Sequence, residues 1–172
     1  MGPVGSGKST QARLLAKNLG ISLFNAGDLL YYKSKEDGQE NIEIRNKMEK
    51  GHLIDDKLVL SLVEKHLKEK EHRKGVVVDG FPRSLYQAEN FSLQIDRVIY
   101  LKVSDEENKI RLLKRKRKDD KKDVIIERLA IYHKQTEPIL KFYDSANLLL
   151  TIDGERAVKE ISSDIITKLG KT

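Results

Sequence analysis

The glycine-rich stretch "GPVGSGKS" at residues 2–9 constrains the fold more than any other feature of the chain. It fits the pattern G-x-x-x-x-G-K-[ST], in which glycines let the backbone curl until its N–H groups point inward. The lysine of the pattern reaches the outer phosphates of a ligand, and the following helix points its N-terminus at them. The stretch therefore predicts a polyphosphate-binding loop, in which Ser9 or Thr10 would hold Mg²⁺. The alternative is a glycine-rich turn before an ordinary helix.

A loop of this kind should follow a buried strand, yet only Met1 precedes it in the sequence. Either the sequence is trimmed or misassigned at its start, or the sheet is one strand short. We therefore expect a sheet whose first, central strand is missing before the loop.

Four short apolar segments predict β-strands at 21–24, 75–79, 97–103 and 147–152. The second and the fourth are almost continuously apolar, which is typical of parallel strands buried on both faces. Amphipathic stretches predict helices at 8–19, 56–71, 104–116, 123–135 and 156–169, and the first should bury Leu14, Leu15 and Leu19. Strands that alternate with helices predict an α/β fold around a parallel sheet flanked by helices.

Composition limits the class of protein. A chain of 172 residues is expected to form a single domain with a substantial core. It has no cysteine, and we find neither a bilayer-length apolar segment nor a signal peptide, so we expect a soluble intracellular protein. The net charge of +6 indicates an anionic partner without identifying it.

A second motif, "VVVDGFPRS" at residues 76–84, complements the loop. Asp79 ends a buried strand, where a carboxylate can orient Mg²⁺ and its waters. The alternative for Asp79 is a turn residue that ends the strand, because Asp-Gly is a common turn pair. Arg83 lies four residues further on and can form a two-pronged contact with a phosphate.

These motifs resemble those of adenylate kinase, a nucleoside monophosphate kinase. The matching segments are "GPVGSGKSTQ" (2–11), "NAGDLL" (25–30), "DGFPRSLYQA" (79–88), "RKDD" (117–120), "RLAIYHKQTEPILKFY" (128–143) and "TIDGE" (151–155). Their order and spacing match over almost the whole chain. The resemblance implies a P-loop kinase fold, a cytoplasmic enzyme, and transfer of the γ-phosphoryl group of Mg-ATP to AMP, giving two ADP. It implies nucleotide partners and no nucleic acid or membrane partner.

The resemblance also assigns site residues. Those expected to bind ATP are Gly2, Gly5, Ser6, Gly7, Lys8, Ser9, Thr10, Arg111 and Gly154. Those expected to bind AMP are Ala26, Gly27, Asp28, Gly80, Arg83, Gln87, Arg117 and Arg128, with residues 26–72 as an AMP-binding helical subregion. Magnesium is assigned to Ser9 and, through water, to Asp28 and Asp79. The expected catalytic set is Lys8, Arg83, Arg111, Arg115, Arg117 and Arg128.

The basic run "RLLKRKRKDDKK" at residues 111–122 gains a role from the same resemblance. In adenylate kinases a mobile lid lies between the arginines matched by Arg115 and Arg117, and here only Lys116 separates them. We therefore expect a lidless short form whose arginines bind phosphate. The alternatives are a nucleic-acid surface or a solvated charged face, and the absence of aromatic residues from the run disfavours the former.

Two positions depart from the family pattern. Tyr31 stands where an arginine usually contacts the AMP phosphate, and Arg45 is a candidate replacement for it. Ala26 stands where adenylate kinases usually carry a hydroxyl, as in uridylate and cytidylate kinases, whereas Gln87 favours AMP. A UMP or CMP kinase and a catalytically silent nucleotide-binding module therefore stay open as alternatives.

Overall fold

The computed structural model describes residues 1–49, 54–69, 72–115 and 122–170. The β-strands in this part of the chain are β1 Ser22–Asn25, β2 Val76–Asp79, β3 Val98–Lys102 and β4 Leu149–Asp153. The α-helices are α1 Lys8–Leu19, α2 Ala26–Lys33, α3 Gln39–Glu49, α4 Asp56–Leu67, α5 Leu85–Asn90, α6 Asp105–Arg115, α7 Lys122–Ile131, α8 Pro138–Ser145 and α9 Val158–Leu169. This alternation confirms the α/β fold and all four expected strands.

The strands form two parallel pairs. β1 pairs with β2, which places Asn25 opposite Asp79, and β3 pairs with β4. Within the described ranges β2 and β3 belong to different sheets. Met1 lies beside β3, where its ammonium donates to the Ile99 carbonyl and its own carbonyl accepts from the Leu101 N–H at 3.0 Å. Met1 therefore occupies the position of a strand residue next to β3, immediately before the loop.

Two main apolar clusters support the sheets. One joins β1 and β2 to helices α3 and α4 and has Phe24, Ile44 and Val63 at its centre. The other joins α1 and α9 to β3 and β4 and includes Leu15 and Ile152. The parallel strands thus carry helices on their faces, which holds their carboxyl ends in fixed positions.

The expected core stripe of α1 is partly wrong. Leu15 is buried, but Leu19 is 49% exposed, and the other buried residues of this helix are Gln11 and Ala16. The helix ends at Leu19 because Gly20 adopts a left-handed conformation with a φ of 65°. Leu19 therefore lies past the apolar cluster that Leu15 joins.

The helix expected at 123–135 ends earlier as an α-helix. α7 stops at Ile131, and residues Tyr132–Thr136 continue as a π-helical turn before α8 begins at Pro138. Proline has no N–H to donate, and the preceding residue, Glu137, donates to the Tyr132 carbonyl five residues back. The segment "RLAIYHKQTEPILKFY" (128–143) therefore spans the end of α7, the π-helical turn and most of α8.

Three of the described helices, α2, α4 and α5, start from well-defined side-chain caps. Asn25, Asp55 and Ser84 each accept a hydrogen bond from a backbone N–H three residues later, at the starts of α2, α4 and α5. Asn25 is the last residue of β1, and Ser84 lies five residues after β2 ends at Asp79. The caps fix how the chain leaves the sheet, where the site is formed.

None of the described helices has the length and apolar character required to span a membrane.

Candidate active site

The glycine-rich loop is a compact turn that leads into α1. Ser6 donates its N–H to the Pro3 carbonyl at 3.2 Å, and Gly7 is the N-cap of the helix with a φ of 87°. Gly5, with a φ of 88°, lies against α6, because a Cβ there would be 3.0 Å from the Asn108 carbonyl oxygen. The loop therefore requires glycine for its conformation at Gly7, and for both conformation and close packing at Gly5.

Lys8 lies at the centre of a cationic cluster. Its ammonium donates to the Pro3 carbonyl at 3.2 Å. Burial foremost, and after it the neighbouring Arg83, lower the pKa of Lys8 to about 8. Asp79 opposes this shift, while Arg115 and Arg128 act in the same direction as Arg83. Three of the arginines expected from the sequence therefore lie close enough to act on one ammonium group, beside a loop suited to phosphate.

Asp79 and Asp28 are linked through a residue that the sequence reading missed. Asp79 is only 6% exposed at the carboxyl end of β2, and Asn25 donates its side-chain amide to it at 3.0 Å. The amide oxygen of Asn25 accepts the N–H of Asp28 at 3.1 Å. The signal for Asn25 was its place at the end of a strand, directly before "AGDLL". Carboxylate and hydroxyl oxygens are the ligands that Mg²⁺ prefers, so Asp79 and Ser9 fit a magnesium ion.

The expected acceptor-side residues also meet. A Cβ added at Gly80, whose φ is 85°, would lie 3.4 Å from the Arg83 guanidinium, 3.8 Å from the Gly27 nitrogen and 3.9 Å from the Ala26 Cβ. The Arg83 side chain folds back and donates its Nε–H to the Gly80 carbonyl at 2.9 Å. The ends of β1 and β2 thus form one small surface from segments more than fifty positions apart in sequence.

Gln87 lies next to this surface and is 3% exposed. Its amide oxygen accepts the backbone N–H of Arg83 at 2.8 Å, and its amide nitrogen donates to Asp56 at 2.8 Å. Both ends of the amide therefore have protein partners. The sequence predicted Gln87 as a site residue but did not predict its contact with Asp56.

A cavity lies beside the glycine-rich loop, next to Arg111. Arg111 donates to Glu107 at 2.7 Å and to the Gly154 carbonyl at 2.9 Å, so the structure joins these two expected residues. Beside them is a cavity of about 280 Å³ lined by Ser6, Gly7, Thr10, Gln11, Arg111, Arg156, Ala157, Val158 and Ile161. Gln11 and the residues from Arg156 to Val158 were missed, although they directly continue the "GPVGSGKST" and "TIDGE" segments.

The remaining expected residues are those of the shortened lid and the two at the departure from the family pattern in α2 and α3. Arg117, and the shortened lid with Lys116, lie outside the described residues. Tyr31 is 52% exposed, with the Lys35 ammonium 5.2 Å from the centre of its ring. Arg45 donates its Nε–H to the Ser34 carbonyl at 2.7 Å, so it ties α3 to the end of α2.

The fold and the loop define the class of protein. A parallel α/β sheet, a glycine-rich loop opening a helix, and an acidic residue at the end of a neighbouring strand are the features of a P-loop nucleotide-binding protein.

Comparison with known proteins identifies the family within this class. A family model for adenylate kinase matches residues 1–148. The chain is 40% identical to the adenylate kinase of Prochlorococcus marinus (strain MIT 9211), over 99% of this chain and 95% of that protein. It is 36% identical to adenylate kinase 1 of Nostoc sp., and 30% identical to the adenylate kinase of Methanosarcina barkeri (strain Fusaro), each over 99% of this chain and 96% of the relative. The chain belongs to the adenylate kinase family and is therefore a member of a family of enzymes.

Proposed function

We propose that this enzyme transfers the γ-phosphoryl group of ATP to AMP and releases two ADP. The observation that carries the proposal is the cluster of Lys8, Arg83, Arg115 and Arg128 around the glycine-rich loop, with Asp79 beside it. A cluster of cationic side chains is suited to a highly charged anion such as two nucleotides in contact. The named adenylate kinases that align with nearly the whole chain favour the same reaction. We place the enzyme in the cytoplasm and give it no partner beyond its nucleotides.

ATP would lie across the loop, with its phosphates over the N-terminus of α1 and its adenosine in the 280 Å³ cavity beside Arg111. Gly2, Gly5, Ser6, Gly7, Lys8, Ser9 and Thr10 form the phosphate side of this site in the proposal. The backbone N–H groups of the loop and the helix N-terminus supply positive potential there. Arg111, held between Glu107 and the Gly154 carbonyl, forms the wall of the adenosine side.

Magnesium would be held by Ser9 directly and by Asp79 and Asp28 through water. When bound, it would neutralise negative charge on the phosphate oxygens and fix their orientation. The Asn25 amide holds Asp79 and the start of α2 in a fixed relation, so it is a positioning residue in this proposal. The exposed Asp28 side chain lies at the start of α2, open to water-mediated contact.

AMP would lie on the surface formed by Ala26, Gly27, Gly80 and Arg83, with its base towards Gln87. Phosphoryl transfer needs the attacking and leaving oxygens in line and the charge of the transferred group neutralised. Arginines suit this task because their charge is fixed and their donors form a fork that matches phosphate. The reaction therefore needs no covalent enzyme intermediate; the side chains position both nucleotides and balance their charge.

A UMP or CMP acceptor is the second candidate, and the observation that favours it is Ala26. This residue is 1% exposed and presents only a methyl group beside Gly80 and Gly27. A hydroxyl there could donate a hydrogen bond to a base or phosphate, and alanine cannot. Gln87 favours AMP over this alternative.

The proposal is tested by ADP formation from Mg-ATP and AMP, compared among the unaltered protein, Lys8→Ala and Arg128→Met. We expect both changes to reduce kcat/KM at least a hundredfold, because each removes a cation that stabilises charge in the transition state. Arg13→Met is the matched control, since Arg13 is exposed on α1 and has no role in the proposed site. Retention of activity in Lys8→Ala, or equal loss in Arg13→Met, would contradict the proposed assignment.

A further inference from the structure

We propose that Asp56 determines base specificity by fixing the orientation of the Gln87 amide. This inference rests on the proposed function, because it concerns the base of the acceptor nucleotide. Asp56 is the first residue of α4, and its carboxylate accepts the Gln87 Nε2–H at 2.8 Å. The cap of this helix is the preceding residue, Asp55, which accepts the N–H of Leu58, so the carboxylate of Asp56 serves Gln87 instead of the helix.

The orientation of this amide follows from the chemistry of its partners. A carboxylate accepts hydrogen bonds, so the group of Gln87 that faces Asp56 is the NH₂. A backbone N–H only donates, so the group that faces the N–H of Arg83 at 2.8 Å is the amide oxygen. A reversed amide would place its oxygen against a carboxylate and its NH₂ against an N–H. Two contacts of opposite polarity therefore hold one orientation.

The amide still has hydrogen-bonding capacity for a ligand. An amide oxygen has two lone pairs and an NH₂ has two hydrogens, and these two contacts use one of each. One donor and one acceptor remain, with the acceptor on the Arg83 side and the donor on the Asp56 side. This pair complements a base edge that presents an acceptor next to a donor in the matching order.

The order of donor and acceptor distinguishes two purines of equal size. The edge of adenine has an amino donor at position 6 and a ring-nitrogen acceptor at position 1. Hypoxanthine, the base of IMP, has an oxygen acceptor and an N–H donor at the same two positions. A glutamine that could turn freely would suit both bases, whereas an amide held by Asp56 and Arg83 suits a 6-aminopurine. The fixed amide therefore selects AMP over IMP.

The place of Gln87 puts this selection beside the acceptor surface. The same Arg83 whose backbone holds the amide oxygen folds its guanidinium over Gly80, next to Gly27 and Ala26. Ser84 accepts the backbone N–H of Gln87 at 3.2 Å, which fixes the helical turn that carries the side chain. Gln87 is thus held at its backbone N–H, its amide oxygen and its amide nitrogen.

The test measures the affinity of AMP and IMP by calorimetry for the unaltered protein, Asp56→Ala, Asp56→Asn and Glu64→Ala. In Asp56→Ala we expect AMP affinity and the preference for AMP over IMP each to fall about tenfold, because only Arg83 then opposes a reversed amide. Compared with Asp56→Ala, the Asp56→Asn variant should regain part of the AMP affinity and part of the preference for AMP over IMP. Its side-chain oxygen can still accept a hydrogen bond from Gln87. Alanine favours helix and the Asp55 cap is untouched, so α4 is expected to stay folded.

Glu64→Ala is the matched control, because Glu64 is also on α4 and its carboxylate accepts a hydrogen bond, from the Ser92 N–H. This variant should bind both nucleotides as the unaltered protein does. An unchanged AMP to IMP preference in Asp56→Ala, an equal loss in Glu64→Ala, or no recovery in Asp56→Asn would overturn the inference. ADP formation on the same samples separates it from the proposed function: selective binding of AMP without phosphoryl transfer would contradict the function alone.

Discussion

Single residues of the site are placed at a cost to the stability of the empty protein. Lys8 is the clearest case, because burial and the nearby arginines lower its pKa to about 8. A lysine whose folded-state pKa is lowered binds protons more weakly than in the unfolded chain, so the fold loses stability as the pH falls from the ordinary pKa of 10.5 and carries the full penalty below about pH 8. Strained or poorly compensated charges of this kind are typical of functional positions.

Replacement of Lys8 by methionine should therefore stabilise the nucleotide-free protein. We expect Lys8→Met to raise Tm by a few degrees at pH 7, because an apolar side chain of similar length replaces a partly buried cation. The same variant should lose the stabilisation that Mg-ATP gives the unaltered protein. Thermal unfolding with and without Mg-ATP measures both effects, and Lys17→Met, at an exposed position of the same helix, is the control. A lower Tm for nucleotide-free Lys8→Met would show that Lys8 contributes to folding.

At the scale of elements, α6 and the π-helical turn are joined through one histidine. His133 contacts Asp105 at the start of α6 at 3.0 Å and Glu137 at 2.8 Å. Glu137 foremost, together with Asp105, raises the pKa of His133 above its ordinary value, against the smaller effect of its burial. Because α6 carries Arg111 and Arg115, this contact helps to hold two arginines of the proposed site.

A histidine whose folded-state pKa is raised stabilises the fold when it is protonated. Its contribution is complete below its ordinary pKa of about 6.5 and is lost as the pH rises through the raised value. We expect the difference in Tm between the unaltered protein and His133→Gln to be largest near pH 6 and to shrink as the pH rises above about 6.5. The difference should be small, because the side chain is exposed. A difference that grows with pH would contradict this account.

The sequence predicted elements and motifs better than contacts between them. Apolar runs located all four strands to within two residues, because parallel strands buried on both faces have a distinctive composition. Glycine spacing located the loop. The contact of Gln87 with Asp56, thirty-one positions away, depends on how α4 packs beside α5, and no local pattern encodes it. The early end of α7 depends on the widened turn before Pro138, which helical periodicity does not report.

At the scale of the whole molecule, the shortened lid expected from the sequence should affect the exclusion of water from the site more than any other property. Helix α6 ends at Arg115 and α7 begins at Lys122, which leaves residues 116–121 to connect them. In kinases a closing lid sequesters the reacting groups from water and completes the site. A chain with so short a connection has little length with which to cover a nucleotide.

We therefore expect this enzyme to hydrolyse ATP in the absence of AMP at a measurable fraction of its kinase rate, or to bind ATP weakly. The measurement is phosphate release from Mg-ATP alone, together with the Kd for ATP. Lys8→Ala reports the background, since it should lose both activities. Negligible hydrolysis combined with ordinary ATP affinity would contradict the expectation and would mean that other parts of the protein exclude water.

The central claim is that the two surfaces beside the loop bind ATP and AMP together for direct transfer. Its most direct test is ADP formation from Mg-ATP with AMP, UMP, CMP or no acceptor, with Lys8→Ala measured in parallel. We predict formation that depends on AMP, exceeds that with either pyrimidine nucleotide, and is lost in the variant. A preference for UMP or CMP would mean that Ala26 outweighs Gln87 in choosing the acceptor. Absence of acceptor-dependent transfer in folded protein would contradict the account and identify a nucleotide-binding module without kinase activity.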